Sequence, residues 1–326
     1  MTEMMKAVVI ETPGGPEVLH LVERHVPKAQ AGQVLIRVKA FGINRSELFT
    51  RQGHSPGVQF PRILGIEAVG VVEAASGGEF AAGDRVATVM GGMGRQFDGG
   101  YAEFTIVPAR QVRRLHAELP WAVLGALPEM LQTAWGATFK ALRLQAGDSF
   151  LVRGGTTSVG LAAIGLARQA GARVLATTRK ADRSDLLREH GAHEVIVDDG
   201  SIAGRVREFV PGGVNKVLEL VGTTTLPDSL QAIASGGVAC MAGMVGDQWS
   251  IRDFAPMDVI PHLVSLTIYS GGVAEFMEMP LDDMAAAVAN GTLRVPSGPV
   301  FHIDDVVEAH RCMEENRALG KIVITT

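Results

Sequence analysis

Cysteine is almost missing: Cys240 and Cys312 are the only two in 326 residues. They are too few for a thiolate zinc site, and both fall in stretches read as regular structure, a strand and a helix, so both are expected to be buried thiols. Aromatic residues make up 5% of the chain and the formal charge is −5, with no basic stripe, which argues against a nucleic-acid surface. No apolar run approaches the ~20 residues that a membrane span needs. The first residues, MTEMMKAVVIETPGG, lack a basic region followed by an apolar core, so no secretory signal is read and cytosolic residence is the expectation. Repeats, low-complexity tracts and charged tails are also missing. What is plentiful is glycine, 39 residues, which implies many tight turns. A chain this long exceeds the usual size of a single core, and two domains are expected.

The most informative stretch is Ser149 to Lys180, SFLVRGGTTSVGLAAIGLARQAGARVLATTRK. Ser149 to Arg153 is a short apolar run that ends at Gly154-Gly155. Val159, Ala163, Leu166 and Ala170 then recur at the spacing of one helix face, Gly171 closes the helix, and Arg173 to Thr177 reads as a second strand. A strand, helix and strand in this order form a right-handed parallel crossover. The N-terminus of its helix, with unpaired N–H groups and a positive dipole end, is a natural seat for pyrophosphate. The dinucleotide fingerprint G-x-G-x-x-G is kept at its first and last glycines in Gly155-Thr156-Thr157-Ser158-Val159-Gly160, but its middle glycine is Thr157. That threonine is expected either to point away from the ligand or to offer it a hydroxyl.

The second strand selects the cofactor. An NAD site places a carboxylate about 20 residues beyond the glycines. Here Thr178 stands in that position, followed by Arg179, Lys180 and Arg183. This cationic run suits a 2′-phosphate, at about 1.5–3 kcal/mol per charge-assisted bond, so NADPH is the expected cofactor.

Before this unit, Lys6 to about Leu115 reads as short strands separated by Pro and Gly: KAVVI, Val18 to Leu21, VLIRVKAFGIN, EAVGVVEAA, DRVATVM and YAEFTIV. They predict a small barrel-like β domain, with a helix through Leu131, Trp135, Thr138 and Leu142 leading out of it. Beyond the unit, strands are predicted at Glu194 to Val197, Lys216 to Leu220, Val238 to Ala242 and Leu266 to Tyr269, with helices near Asp182 to His190 and Leu226 to Ala234. These complete a six-stranded doubly wound sheet. The end of the chain predicts a helix near Leu281 to Asn290 closed by Gly291, and strand fragments at Leu293 to Val295 and Val300 to Phe301. Asp304 is then expected to cap a helix over Asp305 to Glu315, before a final strand at Lys321 to Thr325. The last residues are expected to fold back on the first domain, which makes the cofactor domain an insertion.

Taken together, KAVVIETPGGPEVL, GQVLIRVKAFGINRSEL, FPRILGIEAVGVVE, AAGDRVA, GGYAEF, LPEMLQTAW, VRGGTTSVG and AHRCMEENRALGKIV resemble the medium-chain dehydrogenase/reductase superfamily, and within it the zinc-independent, zeta-crystallin-like quinone oxidoreductases. The resemblance implies a GroES-like catalytic domain over residues 1–122 and 271–326, a Rossmann domain over 123–270, and a homodimer through the last Rossmann strand. Where zinc-dependent relatives carry a ligand cysteine this chain has Asn44-Arg45-Ser46, and where they have Gly-His-Glu it has Gly65-Ile66-Glu67. No metal is therefore expected, and without a Lewis acid alcohol oxidation is disfavoured.

The resemblance also implies roles for single residues. Asn44 is expected to face nicotinamide and substrate and to donate to a developing oxyanion. Thr133 is expected near the nicotinamide, and His54 at the substrate mouth, where relatives carry a tyrosine. Val221, Gly243 and Met244 are expected at the cofactor edge of the sheet, and Asn316 and Lys321 form the tail motif that approaches the cofactor. Asp198 and Asp199 stand where relatives place a tyrosine near the 2′-phosphate, and would repel it unless turned away. The implied reaction is hydride transfer from NADPH to a quinone. Reduction of an enone double bond is a second reading, and a non-catalytic NADPH-binding sensor a third.

Overall fold

The computed structural model describes residues 3–326. The chain divides into two compact units. The chain up to Glu129, with Gly271–Thr292 and Ser297–Thr326, forms one, and Met130–Ser270 with Leu293–Pro296 forms the other.

The first unit is built on strands. Gln33–Gly42 is its central strand, paired antiparallel with Glu67–Ala75, with Phe104–Pro108 and with the last strand of the chain, Lys321–Thr325. The register of that last pair, Val323 opposite Gly42 and Ile324 opposite Phe41, is the predicted return of the C-terminus to the first domain. It also lays Lys321 beside Asn44, since Ile43 N–H donates to the Ile322 carbonyl at 3.1 Å. A smaller sheet pairs Met4–Ile10 with His20–His25 and Arg62–Ile63. Val34, Ile36, Val38, Phe41, Tyr101 and Ile324 fill the core beneath these strands. Each buried aliphatic side chain contributes about 1.5–3 kcal/mol.

The second unit holds a wholly parallel sheet of β1 (Ser149–Arg153), β2 (Arg173–Thr178), β3 (Glu194–Val197), β4 (Val214–Glu219), β5 (Ile233–Met241) and β6 (Ser265–Ile268). Their spatial order is β3-β2-β1-β4-β5-β6, the doubly wound arrangement expected from the sequence. The order reverses between β1 and β4, so the ligand crevice of such a sheet opens at the carboxyl end of β1. Leu151, Leu175, Ile196, Val217 and Leu230 pack one face. The crossover helix runs over Ser158–Gln169, and Gly171 takes a φ of +81° just beyond it, as a helix-closing glycine does.

Several local expectations are corrected. A helix at Arg45–Arg51, unforeseen among the strand signals, follows Asn44. Val18 ends a short 3-10 turn, and the strand begins at His20. The helix at Pro128–Trp135 changes to a π-helical turn at Gly136–Ala141, where a Cβ on Gly136 would lie 2.0 Å from the Tyr269 ring. The helix from Leu226 stops at Gln231, because Ile233 already begins β5. Leu293–Val295 is not a strand, and Ser297–His302 is. Asp304 lies inside a 3-10 turn whose cap is His302, and the following helix starts at Val306.

Candidate nucleotide site and a buried charge cluster

At the carboxyl end of β1 the backbone turns through Gly154, whose φ of +85° suits glycine. A Cβ on Gly155 would sit 3.0 Å from the Thr177 carbonyl, and one on Gly160 would sit 2.6 Å from the Gly154 carbonyl. A side chain at Gly160 is therefore excluded by main chain, whereas one at Gly155 would be tightly crowded by the neighbouring strand. Thr157 spends its side chain within the turn. Its hydroxyl accepts from Gly160 N–H and donates to the Gly154 carbonyl, both at 2.9 Å, so it caps the helix. The side chain that replaces the middle glycine is thus taken up by the helix end. Thr156, Ser158 and Val159 complete the turn around the positive end of a 12-residue helix. Neighbouring strand ends are equally tight: a Cβ on Gly243 would lie 2.4 Å from the Leu220 carbonyl, and Met244 Sδ packs over Gly222. Val221 N–H is held by Glu219 at 2.7 Å. The turn from Gly155 to Gly160 thus fits a pyrophosphate, and its residues would hold it.

Thr178 closes a small turn, its hydroxyl accepting from Lys180 N–H at 3.1 Å and donating to the Lys180 carbonyl at 3.0 Å. Arg179 and Lys180 are exposed and Arg183 is half-buried. The two aspartates that seemed set to oppose a 2′-phosphate are both engaged. Asp199 pairs with Arg205 at 2.8 Å, and Asp198 turns inward onto Arg153 at 2.8 Å. Sequence reading overlooked Arg153, which looks like the polar end of a strand yet is completely buried. The signal available was an arginine directly before a glycine turn with unassigned carboxylates downstream.

In the first unit the structure brings Asn44, Glu47, Glu67, Glu129 and Lys321 together. Lys321 Nζ lies 2.9 Å from Glu67 and 3.3 Å from Glu129, and also donates to the Asn44 side-chain oxygen. The Asn44 amide donates to Glu67 at 3.0 Å and to Glu47 at 3.3 Å. Both amide hydrogens are spent inside the cluster, which corrects the expected oxyanion-donor role: Asn44 is held here, with 8% exposure. A Cβ at Gly42 would lie 2.3 Å from Lys321 Cε, so that glycine makes room for the lysine. Burial works against the Lys321 charge, but Glu67 and Glu129 outweigh it and hold the ammonium protonated beyond its ordinary range. Asn316 lies outside the cluster, exposed, and accepts from Arg45 at 2.5 Å. His54 is exposed on the loop after the Arg45–Arg51 helix and is not gathered into the cluster. Thr133, in the second unit, is 8% exposed on the helix Pro128–Trp135.

Glu47 carries a testable pH signature. Burial raises its carboxyl to about 7, opposed by the Ile66 N–H that it accepts at 2.9 Å. The folded chain therefore binds a proton that the unfolded chain has lost between pH ~4.5 and ~7, so this group's contribution to stability falls as pH rises through that window and levels off above it. Glu47→Gln removes the slope. Urea midpoints at pH 5 and pH 7.5 are expected to show wild type losing about 3 kcal/mol more than the variant across that range.

Residues 30–117 match the family described as the alcohol dehydrogenase GroES-like domain, and residues 190–324 match the one described as zinc-binding dehydrogenase. Human quinone oxidoreductase is 29% identical over 332 residues, covering 99% of this chain and 98% of the relative. Asn44 and Ile66 offer neither imidazole nor thiolate. The chain belongs to the zinc-independent quinone oxidoreductase family of medium-chain dehydrogenases/reductases. Acryloyl-coenzyme A reductase of Metallosphaera sedula is 22% identical, covering 99% of this chain and all of the relative. A mycobacterial structure in complex with NADPH superposes with a TM-score of 0.87 at 27% identity, covering 99% of this chain and 100% of that one. A structure described as an NAD-dependent alcohol dehydrogenase gives 0.87 at 27% identity, covering 98% of this chain and 99% of that one. This oxidoreductase therefore uses a nicotinamide cofactor on a small-molecule substrate. Among its described residues no helix is long and apolar enough to cross a membrane.

Proposed function

We propose that this oxidoreductase reduces a quinone with NADPH without a metal. The observation that carries the cofactor choice is the end of β2, where Thr178 is followed by Arg179 and Lys180 and where the nearby Asp198 carboxylate is tied to Arg153. Gly155, Thr156, Thr157, Ser158, Val159 and Gly160 would hold the pyrophosphate, Arg179, Lys180 and Arg183 the 2′-phosphate, and Val221, Gly243 and Met244 the nicotinamide half. When bound, the nicotinamide supplies hydride; one hydride and one proton convert a quinone to its hydroquinone. The protein's own task is to orient the partners and to exclude water. Asn44 takes a positioning role, because Lys321, Glu47 and Glu67 fix its amide. His54 and Thr133 remain the contacts assigned to substrate and nicotinamide.

Reduction of an activated C=C bond is the second reading, and it is favoured by the similarity to an acryloyl-coenzyme A reductase. We also infer a homodimer through β6. That strand is an edge of its sheet, and Ile268 on it and Leu263 just before it are 67% and 66% exposed. The two free, buried thiols fit a reducing compartment such as the cytosol.

The test is oxidation of NADPH and NADH, followed at the nicotinamide absorbance, with quinones, enones and a simple aldehyde, with and without chelator. Turnover of quinone with NADPH, indifferent to chelator, is expected. Turnover of the aldehyde alone, abolished by chelator, would overturn the metal-free reading, and exclusive turnover of enones would favour the second.

A further inference from the structure

Arg153 is the last residue of β1, lies under the glycine turn, and has a side chain with no exposure at all. Its fork is fully used. Nε and Nη2 donate to the two carboxylate oxygens of Asp198 at 2.8 and 2.9 Å. Nη1 donates to Asp228 at 2.7 Å, to the Ser229 hydroxyl at 3.1 Å and to the Thr225 carbonyl at 3.1 Å. Asp198 follows β3, and its N–H donates to the Thr178 carbonyl at 2.7 Å, so its main chain adjoins the end of β2 where the cofactor's ribose is read. Its side chain nevertheless faces inward and is 7% exposed. Burial disfavours the Asp198 charge, but Arg153 outweighs it and keeps the carboxylate ionised below its ordinary range.

A carboxylate beside the end of β2 has two chemical fates. Turned out, it accepts from a ribose 2′-hydroxyl, as an NAD site requires, and repels a 2′-phosphate. Turned in and paired, it does neither. We propose that Arg153 sets the cofactor choice: by drawing the Asp198 carboxylate into the sheet it clears a negative charge from the place beside Thr178 and Arg179 where a 2′-phosphate lies. Arg153 is thus a specificity-determining residue that touches no ligand and acts through Asp198. Bidentate geometry is essential, so lysine cannot replace it fully. The inference rests on the nicotinamide-cofactor reading above.

The test is fluorescence-titrated binding of NADPH and NADH to wild type, Arg153→Met, Asp198→Asn and the double variant. Arg153→Met is expected to lower the NADPH-to-NADH affinity ratio by about tenfold, through repulsion from the released carboxylate. Asp198→Asn alone leaves the ratio near wild type, and in the double variant it restores the ratio to within about twofold. A purely structural arginine would weaken both cofactors by the same factor, and that result, or failure of Asp198→Asn to restore the ratio, overturns the proposal. Should Arg153→Met not fold, Arg153→Lys carries the test: a smaller shift in the same direction is expected, and an unchanged ratio overturns it. The wild-type ratio separately decides the NADPH reading. A wild type that binds NADH better refutes that reading, while the change on substitution still decides this one.

Discussion

Lys321→Met is expected to destabilise the first unit by about 3–5 kcal/mol, because it leaves Glu67 and Glu129 facing each other in a buried site without their cation. Lys321 is 2% exposed and Glu67 not at all, so water cannot replace the lost ammonium. Asn44 would lose the donor to its oxygen at the same time. A Lys321→Met/Glu67→Gln double variant is expected to recover a substantial part of the loss, since the charge left behind is what costs most. Urea unfolding of the three proteins at pH 7.5 measures this. A single variant as stable as wild type would mean that the cluster is not held by its lysine.

Arg179→Ala is expected to weaken NADPH binding by about 10–100-fold, which corresponds to one charge-assisted bond to phosphate of about 1.5–3 kcal/mol. NADH, which lacks the 2′-phosphate, should be affected little. Arg179 is exposed. The comparison therefore isolates the ligand contact, and it should weaken further with added salt. Equal losses for both cofactors would remove the phosphate assignment from the end of β2. The Arg153 variants change the same ratio by another route, through the Asp198 carboxylate, and the two effects can be separated by combining the substitutions.

The buried cluster also bears on the proposed metal-free reading. Three glutamates and an asparagine around one ammonium make a closed network whose donors are spent internally. Such a network keeps its geometry without an ion, at the cost of leaving Asn44 no amide hydrogen for substrate. The proton that completes the reduction is then expected from solvent or a hydroxyl.

Much of this protein was legible in the sequence, because periodicity and turn chemistry are local. The run from Ser149 to Thr178, with its strand, glycine turn, helix and second strand, is determined by apolar spacing and by glycines that a Cβ would obstruct. The six-stranded order follows once handed crossovers connect such units. That Thr178 and Arg179 stand at the end of the second strand was also readable, since it depends only on where a local apolar run ends. The pairing partners were beyond the sequence. Thr157 could be seen to break the glycine pattern, but only the closed turn shows its hydroxyl satisfying the helix end. Asn44 could be singled out by resemblance, but its amide hydrogens were assigned by Glu47 and Glu67, three and 23 residues away, and its oxygen by Lys321, 277 residues away. Arg153 and Asp198 are separated by 45 residues and meet because β1 and β3 flank β2. Local patterning determined the elements and the phosphate turn. The tertiary structure decided which buried charges meet, because hydrogen bonds between distant segments depend on register and sheet order, which no short stretch of sequence encodes.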